Sequence, residues 1–195
     1  MNDFFTILGV PKTFREKDAA QLERRFHDLQ RRFHPDHAST KGDAAVTEAL
    51  DQSSKINQAY RTLRDSNSRM KYLLSLYGYS VEQSKQVPMD LLELVMNVQE
   101  QVSMLEMNPN DPPPDLSGTK KDISSRLEAL DEEINRFQDE WDTSAEHSEA
   151  GASLTAGEEK ILTALTKALA ARAYLQTLWG TVEAATEGRS LVLKH

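Results

Sequence analysis

The 195-residue chain has no cysteine, which excludes disulfide bonds and any site built from thiolate ligands. No stretch approaches the roughly 18 consecutive apolar residues that a transmembrane helix needs, so we expect no membrane partner. The first residues lack a basic segment followed by an apolar core. We therefore expect no signal peptide and predict a cytoplasmic protein. No glycine-rich phosphate loop occurs, so the chain should not bind ATP as a P-loop enzyme does.

What the chain does contain is typical of a folded, all-α protein. Hydrophobic residues make up 38% and charged residues 28%, which are ordinary values for a globular domain. Glycine and proline are few, at eight and seven residues, and long segments are rich in Leu, Ala, Glu, Lys, Arg and Gln. These residues favour helices, and no segment has a clear strand pattern, so we predict an all-α fold.

The net charge of −8 is unevenly distributed. Residues 1–80 carry 13 Lys and Arg against 10 Asp and Glu, a net of +3. Residues 81–195 carry 10 against 21, a net of −11. This asymmetry predicts two parts with different partners, and an acidic second part argues against a nucleic-acid partner.

The first part predicts two long antiparallel helices flanked by short ones. A short helix over residues 3–8 ends at Gly9, and Asp18 can cap the next helix with Gln21. That helix must end near Phe33, since the residue before a proline disfavours the helical conformation. The remaining predicted elements are a polar loop over 34–41, a long helix over about 43–63, and a short helix that Ser66 caps and Gly78 ends.

The second part predicts an antiparallel three-helix bundle over residues 89–195, after a first domain at 1–78 and a linker at 79–88. Its helices are predicted at 90–107, 119–147 and 155–187, where Thr155 and Glu158 form a capping box. Three consecutive prolines make 109–118 a loop. The apolar stripe of the middle helix consists of Ile123, Leu127, Leu130, Ile134, Phe137 and Trp141.

A His34-Pro35-Asp36 motif lies between the two long helices of the first part. The helix that precedes it carries four arginines, Arg24, Arg25, Arg31 and Arg32. Proline and aspartate favour turns, so the motif could simply be a turn, and the arginines could be a solvated helix face.

The setting of this motif resembles the J-domain family over residues 3–76. The matching segments are Phe5-Thr6-Ile7-Leu8-Gly9-Val10, Arg31-Arg32-Phe33-His34-Pro35-Asp36 and Ile56-Asn57-Gln58-Ala59-Tyr60-Arg61-Thr62-Leu63. The resemblance implies a non-enzymatic co-chaperone that docks on a DnaK-like chaperone and stimulates its ATPase. It assigns chaperone binding to the motif, and we assign the four basic side chains to the same surface: His34, Pro35, Asp36, Arg24, Arg25, Arg31 and Arg32.

The rest of the chain resembles one branch of that family. Residues 68–78 and an acidic helical C-terminal part are similar to HscB-type co-chaperones of iron–sulfur cluster assembly. The resemblance implies an HscA-type chaperone partner and a three-helix bundle that holds the iron–sulfur cluster scaffold protein. The family often has carboxylates where this chain has Met96 and Gln99. The implied scaffold-binding residues are Leu91, Leu92, Val95, Met96, Gln99 and Tyr174.

The helix over 90–107 supports a binding face without the resemblance. Its core-facing stripe consists of Leu91, Leu94, Val95, Val98, Val102 and Leu105. Leu92 and Met96 fall on an adjoining shoulder with Gln99 and Ser103. Exposed apolar shoulders often mark interaction sites, although a bundle with a wider apolar stripe would bury both residues.

The sequence gives little support for a metal site or for acid–base catalysis. His34, Asp36 and His37 have no second cluster to complete a metal site, so we expect no metal and no cofactor. The carboxylates Glu132, Glu133, Asp139, Glu140 and Asp142 spread over several helix faces and predict a solvated surface. Three alternatives stay open: a J-domain protein whose helical adaptor serves a different client, a helical scaffold in which the motif is incidental, and, least favoured, a metal-dependent hydrolase.

Overall fold

The structure is a computed structural model that describes residues 3–38, 42–81, 89–107, 115–144 and 153–186. Within these ranges the chain forms α-helices and short 3-10 pieces and no strand, which confirms the all-α prediction. The chain divides into two compact units, residues 1–80 with 138–161, and residues 81–137 with 162–195. The division of the sequence at 1–78, 79–88 and 89–195 stays a prediction. None of the described helices is long and apolar enough to cross a membrane.

The first unit begins with five helices. They are α1 Phe4–Leu8, α2 Ala19–Arg32, α3 Pro35–Ala38, α4 Asp43–Arg64 and α5 Ser66–Leu76. Two local predictions were wrong. The segment expected to be a polar loop contains α3, because proline is well suited to the first position of a helix. Asp65, rather than Ser66, caps α5, since its carboxylate accepts a hydrogen bond from the Ser68 backbone N–H at 2.8 Å.

Helices α2 and α4 form the predicted antiparallel hairpin. The ring of Phe26 stacks on Tyr60 with centroids 4.1 Å apart, and Gln30 accepts a hydrogen bond from the Ser53 hydroxyl at 3.2 Å. Gln30 comes after Phe26 on α2, whereas its partner Ser53 comes before Tyr60 on α4. The two helices are therefore antiparallel. Apolar side chains between the helices and α1 close this core: Phe5, Leu8, Leu22, Ile56, Ala59 and Leu63.

Carboxylate caps fix the starts of the first two helices. Asp18 accepts from the Gln21 backbone N–H at 2.8 Å, as the sequence predicted. Asp3 accepts from the Thr6 N–H at 2.9 Å and pairs with Lys12 at 3.1 Å. Burial opposes ionisation of Asp3, but the hydrogen bond from Thr6 and the contact with Lys12 outweigh it and lower the pKa of the Asp3 carboxyl.

A buried arginine holds the loop that leads into α2. The side chain of Arg69 is 1% exposed, and its Nε donates to the Thr13 carbonyl at 2.8 Å. Its Nη1 donates to the Leu63 carbonyl at 3.0 Å and to Glu16 Oε2 at 2.5 Å. Since the buried guanidinium is hydrogen-bonded and faces a carboxylate, its desolvation is compensated, and it joins the loop to α4 and α5.

The last turn of α7 also belongs to the first unit. The indole of Trp141 donates to the Lys12 carbonyl at 3.0 Å and meets the rings of Phe14 and Tyr77 edge-on. The assignment of Trp141 to the bundle stripe was therefore wrong. Burial, and then the charges of Glu158 and Asp3, raise the pKa of Tyr77 to about 12.

Asp142 is buried at the same place, so the prediction of a solvated surface was wrong for this residue. Its carboxylate accepts from the Phe14 backbone N–H at 2.7 Å and from the Arg15 N–H at 3.0 Å. A carboxylate that accepts two backbone hydrogen bonds can be buried without a net loss of polar contacts. Together with Arg69, Asp142 fixes the conformation of the loop over residues 11–17.

The remaining elements are a 3-10 helix Met89–Leu91, α6 Leu92–Met107, α7 Ser117–Thr143 and α8 Ala156–Thr186. Helix α7 ends four residues before the predicted end at 147. The Thr155 and Glu158 capping box is confirmed, with the Thr155 N–H donating to Glu158 Oε2 at 2.8 Å and the Glu158 N–H donating to Thr155 Oγ1 at 3.2 Å. Most of the proline-containing loop, 108–114, lies outside the described residues.

Helices α6, α7 and α8 share one core in the second unit, as expected for the predicted three-helix bundle. An ion pair between Arg172 and Asp131 at 2.5 Å links α8 to α7. The side chain of Leu105, predicted for this core, lies outside the described residues. The fully buried residues of the core include Leu91, Val98, Val102, Leu116, Ile123, Leu175 and Val182.

Candidate functional site

The His34-Pro35-Asp36 motif occupies the junction between α2 and α3. Helix α2 ends at Arg32, and the N–H of Phe33 donates to the Leu29 carbonyl at 2.9 Å. Pro35 is the first residue of α3. The N–H that proline lacks would make no hydrogen bond within the helix at that position, so proline is tolerated there. The sequence therefore fixes this turn locally, through the end of one helix and the start of the next.

The side chains of the motif face solvent and contact one another. His34 Nδ1 lies 3.3 Å from the backbone N of Asp36 and 3.4 Å from its Oδ2. The imidazole can accept from that N–H when neutral and donate to the carboxylate when protonated. The Asp36 side chain is 85% exposed, so its carboxylate stays accessible to a partner's cation.

An open groove of about 700 Å³ runs beside the turn, between α2 and α4. His34 and Pro35 line one end, and Gln30, Asn57 and Arg61 supply polar groups along its walls. Leu50 adds an exposed apolar side chain to the groove. Leu50 was not among the predicted site residues.

All four predicted arginines of α2 are exposed. Arg24 lies 3.7 Å from Asp18, and Arg31 pairs with Asp28 one turn away. Such exposed ion pairs are worth little, so a partner's carboxylates can replace them at small cost. Arg32 lies over the Phe33 ring at 5.5 Å, next to the motif. The structure thus places the four arginines on α2 and the His34-Pro35-Asp36 motif directly after the end of that helix.

Some of the predicted scaffold-binding residues lie in the core and others lie on the surface. Leu91 and Val95 are buried in the core of the second unit, and Tyr174 is partly buried against the same core. Leu92 and Met96 are exposed, as is Gln99. The wider apolar stripe that would have buried Leu92 and Met96 is therefore absent from this helix.

Two exposed methionines extend this surface beyond the predicted residues. Met89 precedes α6, and Met104 lies two turns beyond Met96 on the same helix. A helical projection of the sequence could have found Met104, since it falls outside the buried stripe. The prediction omitted both residues because it followed the positions that the family resemblance implied.

The described residues give no support to a metal centre. No group of three or more His, Asp or Glu side chains in the described ranges could hold a metal ion. The side chain of His37, which would have completed such a group with His34 and Asp36, lies outside the described residues.

Comparisons with known proteins agree with this arrangement. Residues 3–72, which include α2 and the His34 turn, match the DnaJ domain family. Among curated proteins, the co-chaperone protein HscB of Proteus mirabilis (strain HI4320) is 34% identical over 153 residues, 74% of this chain and 85% of that protein.

Solved structures include two with the same fold over nearly the whole chain. Chaperone HscB from Vibrio cholerae has a TM-score of 0.54 and 26% identity, covering 95% of this chain and 98% of its own. The crystal structure of human co-chaperone protein HscB has a TM-score of 0.54 and 21% identity, covering 94% and 81%. HscB proteins are co-chaperones and not enzymes, in agreement with the prediction. The chain belongs to the HscB family of J-domain co-chaperones, whose partner is a DnaK-type chaperone.

Proposed function

We propose that this co-chaperone stimulates ATP hydrolysis by an HscA-type chaperone through the His34-Pro35-Asp36 turn. We further propose that it delivers the iron–sulfur cluster scaffold protein to that chaperone, in the cytoplasm, during cluster assembly and transfer. The observation that carries the proposal is the exposed turn at the end of the arginine-bearing helix α2 in a chain of the HscB family.

The turn is suited to engaging a protein surface. Pro35 fixes its own backbone angle, and α3 orders the residues that follow, so little conformational entropy is lost on binding. Asp36 presents a solvated carboxylate that can form a charge-assisted pair with an arginine of the chaperone. The arginines of α2 would attract an acidic surface and accelerate encounter.

The exposed face of α6 is the proposed scaffold-binding surface. Leu92 and Met96 project from a helix whose opposite side is anchored in the core. Buried Leu91 and Val95 would support this surface from beneath rather than touch the scaffold, while Gln99 and Tyr174 would lie at its margin. A rigid helix that presents apolar side chains needs little reorganisation on binding.

The test of this proposal uses Leu92→Ala combined with Met96→Ala. Isothermal titration should show scaffold binding weakened by about 2–4 kcal/mol if both side chains are central anchors. Stimulation of the chaperone without scaffold should be unchanged, since the turn lies in the other unit. The additional stimulation produced by the scaffold should fall, because delivery requires both activities on one chain.

Lys167→Ala, an exposed change on α8, is the matched control and should bind the scaffold like the wild type. Thermal unfolding of each variant checks that the fold is retained. A double variant that binds the scaffold with wild-type affinity would exclude this surface. A wild-type protein that stimulates the chaperone but does not bind the scaffold would favour an adaptor for a different client.

A further inference from the structure

Methionine thioethers are concentrated on the exposed side of α6 and at its start. Met89, Met96 and Met104 are 85%, 62% and 57% exposed, and Leu92 between them is 42% exposed. On the opposite side of the helix, Leu94, Val98 and Val102 are buried. We call the exposed set Met89, Leu92, Met96 and Met104 the methionine face. Three of the chain's six methionines belong to it.

Among the methionines that the structure describes, those of the methionine face have the most accessible sulfur atoms. The chain has no cysteine, so no thiol can compete for an oxidant. Met70 offers a contrast, because it is only partly exposed and its sulfur accepts a hydrogen bond from Gln138 Nε2 at 3.2 Å. Reaction with a peroxide requires access to a sulfur lone pair, which the surroundings of Met70 restrict.

We propose that the methionine face is a reversible oxidation site that controls scaffold binding, an inference that rests on the proposed scaffold-binding function. Hydrogen peroxide transfers one oxygen atom to the thioether sulfur. The O–O bond breaks, a sulfoxide forms and water leaves, so the sulfur is oxidised by two electrons and the peroxide is reduced by two. Methionine sulfoxide reductases of the cell reverse the change with two electrons from a dithiol, which becomes a disulfide while the oxygen leaves as water.

The effect on binding follows from the polarity of the sulfoxide. A thioether is apolar and flexible, and it adapts its shape to an apolar partner surface. A sulfoxide carries a strong hydrogen-bond acceptor that must be desolvated when an apolar partner covers it. Met96 and Met104 lie eight residues apart, about 12 Å along the helix axis, so one partner surface can cover both.

The experiment treats the full-length protein with hydrogen peroxide and follows each methionine by peptide mass spectrometry. Met96 and Met104 should convert to sulfoxide several-fold faster than Met70. Isothermal titration against the scaffold should show oxidised protein binding roughly tenfold more weakly, the cost expected for burying unpaired sulfoxide oxygens. Reduction with methionine sulfoxide reductases should restore the affinity.

The decisive variant combines Met89→Leu, Met96→Leu and Met104→Leu, which keep apolar volume but cannot be oxidised. This protein should bind the scaffold before and after peroxide treatment alike, whereas Met70→Leu should remain as sensitive as the wild type. Equal affinity of oxidised and reduced wild type would overturn the inference, as would peroxide sensitivity that persists in the triple variant. Failure of the reduced wild type to bind the scaffold would instead overturn the proposed function.

Discussion

Gly9 and Gly180 differ in their backbone conformation and in the space that is available for a Cβ atom. Gly9 ends α1 with a φ of +62°, a conformation that side chains with a Cβ adopt at a cost. A Cβ there would also lie 3.2 Å from the guanidinium of Arg25. Gly180 lies inside α8, on its exposed side, and a Cβ would meet no atom within 4 Å.

The same substitution should therefore have opposite effects at the two positions. Gly180→Ala should raise the free energy of unfolding by roughly 0.5–1 kcal/mol, because alanine loses less backbone entropy in a helix. Gly9→Ala should lower it by about 1–2 kcal/mol through the left-handed backbone alone. Urea denaturation of both variants measures the two values, and a stabilised Gly9→Ala would contradict the description of this turn.

At this scale the sequence predicts features whose partners are close along the chain. The caps of Asp18 and Thr155 were predictable because their partners, Gln21 and Glu158, lie three residues away. Asp142 was not, because the backbone groups that it binds, at Phe14 and Arg15, are 128 and 127 residues distant. In the sequence, Asp142 follows other acidic residues, and nothing there distinguishes it from a solvated carboxylate.

Among the elements, the last turn of α7 stabilises the loop before α2. Asp142→Ala would leave the buried N–H of Phe14 and the partly buried N–H of Arg15 without their acceptor. The free energy of unfolding should fall by about 2–3 kcal/mol, the cost of buried donors left unsatisfied.

Asp139→Ala provides the matched control for that measurement. Asp139 lies one turn earlier and pairs with Arg15 at 2.5 Å, but both side chains are largely exposed. Its removal should cost less than about 1 kcal/mol. Equal losses for the two variants in thermal or urea unfolding would show that Asp142 does not hold the loop.

Helix α2 carries the arginines that should attract an acidic surface of the chaperone. Arg24→Glu with Arg25→Glu should slow association with the chaperone by roughly tenfold at low ionic strength and reduce the salt dependence of the rate. Stopped-flow association over a range of salt concentrations measures both quantities. Lys120→Glu with Lys121→Glu on α7 changes the charge equally in the other unit. An effect of the same size from that pair would assign the result to net charge rather than to α2.

The existence of the long helices was predictable, whereas their exact ends and the short elements were less so. Periodic apolar positions identify α2, α4, α6 and α7, because burial of one helix face leaves a regular pattern. Helix α8 was predicted from its Thr155 and Glu158 capping box. Helix α3 has four residues, too few for such a pattern, and depends on Pro35 at its start. The pattern in α7 extended to Trp141, but periodicity cannot show which core a buried aromatic residue joins.

At the scale of the whole molecule, one chain would carry two separate binding surfaces. The turn and arginines of the first unit would engage the chaperone, and the methionine face of the second unit would engage the scaffold. The helical projection of the sequence separated the stripe with Leu91 and Val95 from the shoulder with Leu92 and Met96, yet it left open whether that shoulder is buried. Only the packing of three helices around one core decides which side of α6 is buried.

The central claim is that the His34 turn stimulates the ATPase of the chaperone, and single-turnover ATP hydrolysis tests it most directly. The wild type should accelerate hydrolysis by the HscA-type chaperone, and His34→Gln should not. His34 is half-exposed and lies outside the core, so circular dichroism and thermal unfolding should show a retained fold. His27→Gln, at an exposed position on α2, should stimulate like the wild type. A folded His34→Gln protein that accelerates hydrolysis as strongly as the wild type would contradict the account.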